Sequence, residues 1–157
     1  MRKMCKSFSS KRLTFLLAFF ILLSDQISKY VVATSFQIGE SVRVFPFFNI
    51  SRVANKGISF GMLSDTVQPT VLILLSLLVI IALIMWTKNN KEYMLPSGMI
   101  IAGALGNIVD RIAYKAVIDF LDFHIGSLHW PAFNVADSAI VIGVCILFFV
   151  SYGEEKS

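Results

Sequence analysis

Four apolar runs separated by polar segments organise this chain of 157 residues. They cover Leu13 to about Ala33, Thr70 to Trp86, Met94 to about Ile112, and Asp137 to about Tyr152. Each is close to the ~20 residues a helix needs to cross a ~30 Å hydrocarbon core. The pattern therefore predicts an all-α membrane protein: one domain over residues 1–157, with four transmembrane helices near 13–33, 70–87, 94–112 and 137–152. The loop from Thr34 to Pro69 is too polar to span. Its stretches Ser41 to Phe45 and Phe48 to Val53 favour β-forming residues, which predicts a small sheet, and Ala54-Asn55-Lys56-Gly57 reads as a turn. Phe45, Phe47, Phe48 and Phe60 suit the headgroup level or the lining of an apolar groove.

Charge sets the orientation. Five of the 14 basic residues (Arg2, Lys3, Lys6, Lys11, Arg12) precede the first run, and Lys88 and Lys91 lie between the second and third, so the positive-inside rule puts both termini in the cytoplasm. The net charge of +4 is not gathered into a basic face interleaved with aromatics, so no nucleic-acid partner is expected. No small-residue cleavage pattern follows the first run, which is read as a retained helix. Cys5 and Cys145 fit neither a disulfide nor a metal spacing and are read as inert.

With 56% hydrophobic and 15% charged residues, the polar positions inside or beside the runs need a reason. Asp25 and Lys29, four apart on one helix face, can pair. Asn107, Asp110 and Arg111 share a face of the third run, where Arg111 is expected to pair with Asp110. Asp119 and Asp122 lie in the following loop, in a segment suited to the membrane surface. Asn134 can cap the fourth helix, with Asp137 in its first turn. When the helices alternate direction from a cytoplasmic start, all of these converge at the outer leaflet.

His124 and His129 have no serine motif and no metal-ligand spacing, so carboxylates remain as acid and base. Two carboxylates brought together at a low-dielectric boundary cannot both ionise easily; one keeps a proton while the other activates water, without a metal or other cofactor. Spacing alone leaves Asp119, Asp122 and Asp137 unranked. A small transporter or ion-conducting bundle is the alternative, but it predicts polar residues through the full depth of the helices, and a non-catalytic assembly factor is a third reading.

Five motifs in order give the chain a resemblance to the bacterial lipoprotein signal peptidases, or signal peptidase II. They are Asp25-Gln26-Ile27-Ser28-Lys29, Asn55-Lys56-Gly57-Ile58-Ser59-Phe60, Gly103-Ala104-Leu105-Gly106-Asn107-Ile108-Val109-Asp110-Arg111, Val117-Ile118-Asp119-Phe120 and Phe133-Asn134-Val135-Ala136-Asp137. The resemblance implies an aspartyl endopeptidase of the bacterial cytoplasmic (inner) membrane, with its active site near the outer leaflet. Its substrates would be diacylglyceryl-modified prolipoproteins, cut just before the lipidated cysteine. By motif position the catalytic pair falls on Asp119 and Asp137, while Asp25, Lys29, Asn55, Gly57, Asn107, Asp110, Arg111 and Asn134 support the site or bind substrate. Globomycin is the inhibitor the resemblance implies, membrane lipids are the surroundings, and a monomer is expected. Ala102, Ser59 and Lys115 depart from the usual pattern; Lys115 replaces a glycine at a turn and adds a charge near Asp119.

Overall fold

A computed structural model describes residues 2–57, 68–88 and 90–155. Ile58, Ser59, Phe60 and Gly61 lie outside the described residues. The elements in order are α1 (Arg2–Ser35), β1 (Ser41–Phe45), β2 (Phe48–Asn55), α2 (Pro69–Thr87), a 3-10 turn (Lys91–Tyr93), α3 (Met94–Tyr114), β3 (Val117–Ile125), β4 (Leu128–His129) and α4 (Val135–Glu155). No glycine or proline interrupts the chain before Ser35, and α1 accordingly begins at Arg2 rather than near Leu13. Pro69 opens α2, where its missing N–H costs nothing.

Among the described residues, three helical segments are long and apolar enough to cross a membrane: Lys11–Ser35, Pro69–Thr87 and Val135–Gly153. Their large apolar side chains, such as Phe15, Leu78, Met85 and Phe149, point outward, as lipid-facing surfaces do. The sequence and the fold are those of a membrane protein. α3 differs, because Gly98, Gly103, Gly106, Asn107, Asp110 and Arg111 dilute its apolar character. It packs against α1, α2 and α4 and buries twelve of its residues, polar ones included.

Small residues make this central position possible. A Cβ on Gly106 would come within 2.5 Å of the Asp25 carboxylate, and one on Gly103 would collide with the Ala136 carbonyl. α1 and the start of α4 are thereby drawn against the same polar end of α3.

The strands form one antiparallel sheet in the order β1-β2-β3-β4. β2 reaches Asn55, two residues beyond the expected end, so the turn begins at Lys56 instead of Ala54. β3 forms where the sequence pattern predicts a surface loop. It pairs with β2 through Asn55 opposite Val117 and Asn49 opposite Asp122, and both of its faces are covered from Val117 to Phe120. Phe45 and Phe47 are exposed and stack on one another, while Phe48 packs on Phe123.

Lys115 ends α3 in the left-handed conformation, with φ 60° and ψ 13°. Its side chain is exposed at the surface. A left-handed non-glycine residue costs about 1–2 kcal/mol, part of which glycine returns as unfolded-state entropy. Lys115→Gly is therefore expected to raise stability by about 1 kcal/mol or less, seen as a higher thermal midpoint in detergent with an unchanged helix signal.

Candidate active site

The polar ends of α1, α3 and α4 meet beneath the sheet. Lys29 lies between the Asp25 carboxylate at 2.8 Å and the Asp110 carboxylate at 3.0 Å, with exposures of 2%, 0% and 1% respectively. The third acceptor of its ammonium is Asn107 Oδ1, at 3.0 Å. Each carboxylate also receives a backbone N–H: Ala136 donates to Asp25 at 2.8 Å, and Ile118 donates to Asp110 at 3.1 Å. The ion cluster thus joins α1 to α3 and holds the first residues of both β3 and α4. Gln26, to which sequence reading assigns no role, donates to Asp25, Asp110 and the Gly106 carbonyl. The signal that could have found it is its position as an amide inside an apolar run, next to a carboxylate.

Arg111 does not pair with Asp110. Its guanidinium donates to the carbonyls of Asn107 at 3.3 Å and Gly57 at 3.1 Å, leaving a buried Nε–H without a hydrogen-bond partner. Asp110 turns to Lys29 because adjacent residues on a helix do not face each other.

Asp119 is held by amides from two other elements. Asn134 Nδ2 donates to its Oδ1 at 2.7 Å, and Asn55 Nδ2 donates to its Oδ2 at 2.9 Å. Asn55 also accepts the Gly57 N–H through Oδ1 at 3.0 Å, which fixes the amide's orientation. Asn134 also caps α4, its Oδ1 accepting the Asp137 N–H at 2.8 Å. It reaches Asp119 because Phe133, one residue earlier, exchanges backbone hydrogen bonds with Leu121 on β3. Asp137, in the first turn of α4, accepts from Asn107 Nδ2 at 2.8 Å.

Asp119 and Asp137 both line a cavity of about 630 Å³, together with Asn55, Asn107 and Arg111. The cavity continues past Ser76, Ala104, Ile140 and Val141, giving a polar floor and an apolar flank. Burial pushes the Asp119 carboxyl up to about 7, and the neighbouring Asp137 charge adds to the rise; the amides of Asn55 and Asn134 and the Lys29 charge act against it.

Asp122 belongs elsewhere. It accepts from Asn49 Nδ2 at 3.0 Å and meets His129 Nδ1 at 2.7 Å, while His129 stacks on His124. Burial raises its carboxyl, but the Asn49 and His129 contacts outweigh that and leave it below the usual range. The two histidines sit with this carboxylate on the sheet, away from Asp119 and Asp137 in the cavity.

A family model for signal peptidase (SPase) II matches residues 17–152. The lipoprotein signal peptidase of Burkholderia thailandensis is 40% identical over 134 residues, covering 82% of this chain and 81% of that protein. The lipoprotein signal peptidase of Thermodesulfovibrio yellowstonii is 43% identical over 131 residues, covering 83% and 88%. A bacterial membrane enzyme solved by the in meso method at 2.3 Å resolution superposes with a TM-score of 0.81 at 35% identity, over 92% of this chain and 90% of that one. A second, solved at 1.9 Å, gives 0.77 at 34%, over 88% and 91%. With its polar helix ends gathered around one cavity and its length matched almost throughout, the chain belongs to the signal peptidase II family.

Proposed function

We propose that the chain is an aspartyl endopeptidase that removes the signal peptide from diacylglyceryl-modified prolipoproteins, cutting just before the lipidated cysteine. The observation that carries this reading is the pair Asp119 and Asp137 lining one cavity, each fixed by amide donors. The lipoprotein signal peptidase relatives support the substrate class. Asp119, protonated up to about 7, acts as the acid, and Asp137 as the base. Asp137 takes a proton from water, whose oxygen adds to the scissile carbonyl carbon while Asp119 donates to the carbonyl oxygen. Collapse of the adduct breaks the C–N bond: the leaving nitrogen takes the proton that Asp137 took from water, and Asp119 recovers its proton from the hydroxyl as the carbonyl re-forms. Arg111, whose guanidinium lines the cavity, suits a substrate carbonyl, and Asp25, Lys29, Asn55, Gly57, Asn107, Asp110 and Asn134 hold the pair in place.

In this reading α3 is the fourth spanning helix, shielded from lipid on its polar face by α1, α2 and α4. Both termini lie in the cytoplasm and the cavity opens near the outer leaflet, a placement that the distribution of basic residues supports. The apolar flank of the cavity suits the substrate's signal helix and lipid. The protein works as a monomer, and globomycin occupies the same cavity.

Purified protein is expected to cut a diacylglyceryl-modified precursor just before its cysteine and to spare the unmodified precursor, by mass spectrometry, with EDTA harmless. Because the Asp119 proton is lost as pH rises through about 7, cleavage is expected to decline above that pH. Absence of cleavage of the lipidated precursor by folded protein overturns the proposal.

A further inference from the structure

We infer that Lys29 is a positioning residue that fixes the orientation of the Asn107 amide and, through it, the hydrogen bond that Asp137 receives. The inference rests on the aspartyl reading above. Lys29 does not line the cavity; it acts through Asn107, which does.

An ammonium has three protons to donate and no acceptor. Here three acceptors surround it: Asp25 Oδ2, Asp110 Oδ2 and Asn107 Oδ1, at 2.8, 3.0 and 3.0 Å. Only the carbonyl oxygen of the Asn107 amide can face that group, so the NH2 must point the other way. There it meets Asp137 Oδ1 at 2.8 Å. A flipped amide would set its NH2 against the ammonium and its oxygen against the carboxylate. One buried and one partly buried hydrogen bond would be replaced by two repulsive contacts, costly in a low-dielectric interior. Asn134 Nδ2, at 3.4 Å from the same Oδ1, favours the same orientation.

The cluster controls the backbone of Asp137 as well. Asp25, paired with Lys29, accepts the N–H of Ala136, the residue before Asp137. Lys29 therefore governs the side-chain partner of Asp137, while its own partner anchors the helix turn that carries Asp137. The charges around this unit are Asp25 and Lys29 on α1, Asp110 and Arg111 on α3, Asp119 on β3 and Asp137 on α4.

The test separates positioning from simple bracing. Lys29→Met alone strands two buried carboxylates, so it is combined with Asp110→Asn, which keeps the net charge of the Asp25, Lys29 and Asp110 group at −1. Lys29→Met with Asp25→Asn is a second pair of the same net charge. In whichever pair folds, kcat on the diacylglyceryl-modified precursor is expected to fall about 10- to 100-fold with KM little changed, as for other partners that orient a reacting group. Asn107→Leu should lose a similar factor. Joined to the folded pair, it should cost no more than the slower parent, because both changes remove one hydrogen-bond relay. The inference is overturned if the losses multiply, if kcat stays within about twofold of wild type, or if KM alone changes. Failure of both pairs to fold assigns Lys29 a structural role and overturns it too. Asp119→Asn and Asp137→Asn run in the same assay: a near-wild-type rate in either defeats the aspartyl reading itself, whereas a loss of about 100-fold or more in both, with multiplying losses in the Lys29 series, defeats only the role of Lys29.

Discussion

Asp119→Asn and Asp137→Asn are each expected to lower the cleavage rate by about 10²- to 10⁴-fold while the protein stays folded, the range a positioned acid or base contributes. Asparagine keeps the shape of aspartate. At position 137 its oxygen can still accept from Asn107, so the α4 cap and the α3 contact persist while the proton acceptor is lost. At position 119 one of the two amide donors, Asn55 or Asn134, is left facing an NH2, a cost of about 1–3 kcal/mol that the surrounding sheet and helices can bear. Asp122→Asn supplies the contrast. That side chain serves Asn49 and His129 on the sheet, so cleavage should stay near the wild-type rate. The three variants, assayed on one lipidated precursor after a check of folding, divide carboxylates that spacing cannot divide.

Lys29→Met alone is expected to be the most destabilising of the single changes discussed, by about 3–5 kcal/mol. Methionine fills much of the same volume, so little of the cost is a cavity. The cost comes from Asp25 and Asp110, which are almost wholly buried and would face each other with no cation between them. Their remaining donors, Gln26 and the backbone N–H groups of Ala136 and Ile118, cannot neutralise two charges. A loss of this size is a large part of the roughly 5–15 kcal/mol that holds a typical domain. The thermal midpoint in detergent should drop sharply, and adding Asp110→Asn should recover a substantial part of it. Equal midpoints for wild type and Lys29→Met would mean that the cluster does not hold the helix ends together.

The helices are legible in the sequence because their signal is local. Apolar length locates α2 and α4 within a few residues, and β1 and β2 follow from their β-forming runs. The Asp25 and Lys29 pair is legible for the same reason, since four residues on a helix return to one face. β3 is not legible. Its residues from Val117 to Phe120 are covered on both faces, so the alternation that marks a half-buried strand is absent, and its buried carboxylates imitate a surface segment. For Asp110, adjacency in sequence suggests Arg111 as the partner, whereas helix geometry turns neighbours apart and gives it Lys29. The separation of Asp119 from Asp122 depends on Asn55 and Asn134 for one and on Asn49 and His129 for the other. Those contacts exist only after the sheet forms and the segment before α4 joins it, and no spacing along the chain encodes them.

The central claim is that Asp119 and Asp137 act as one coupled pair, and the most direct test is the titration of the Asp119 carboxyl, followed by infrared difference spectroscopy in wild type and in Asp137→Asn. Asp119 should ionise near 7 in the wild type, because burial and the Asp137 charge both oppose its ionisation. Removing the Asp137 charge leaves burial in place, so the midpoint should move down without returning fully to the ordinary carboxylate range. A midpoint that is unchanged by Asp137→Asn, or one already ordinary in the wild type, would contradict the pair.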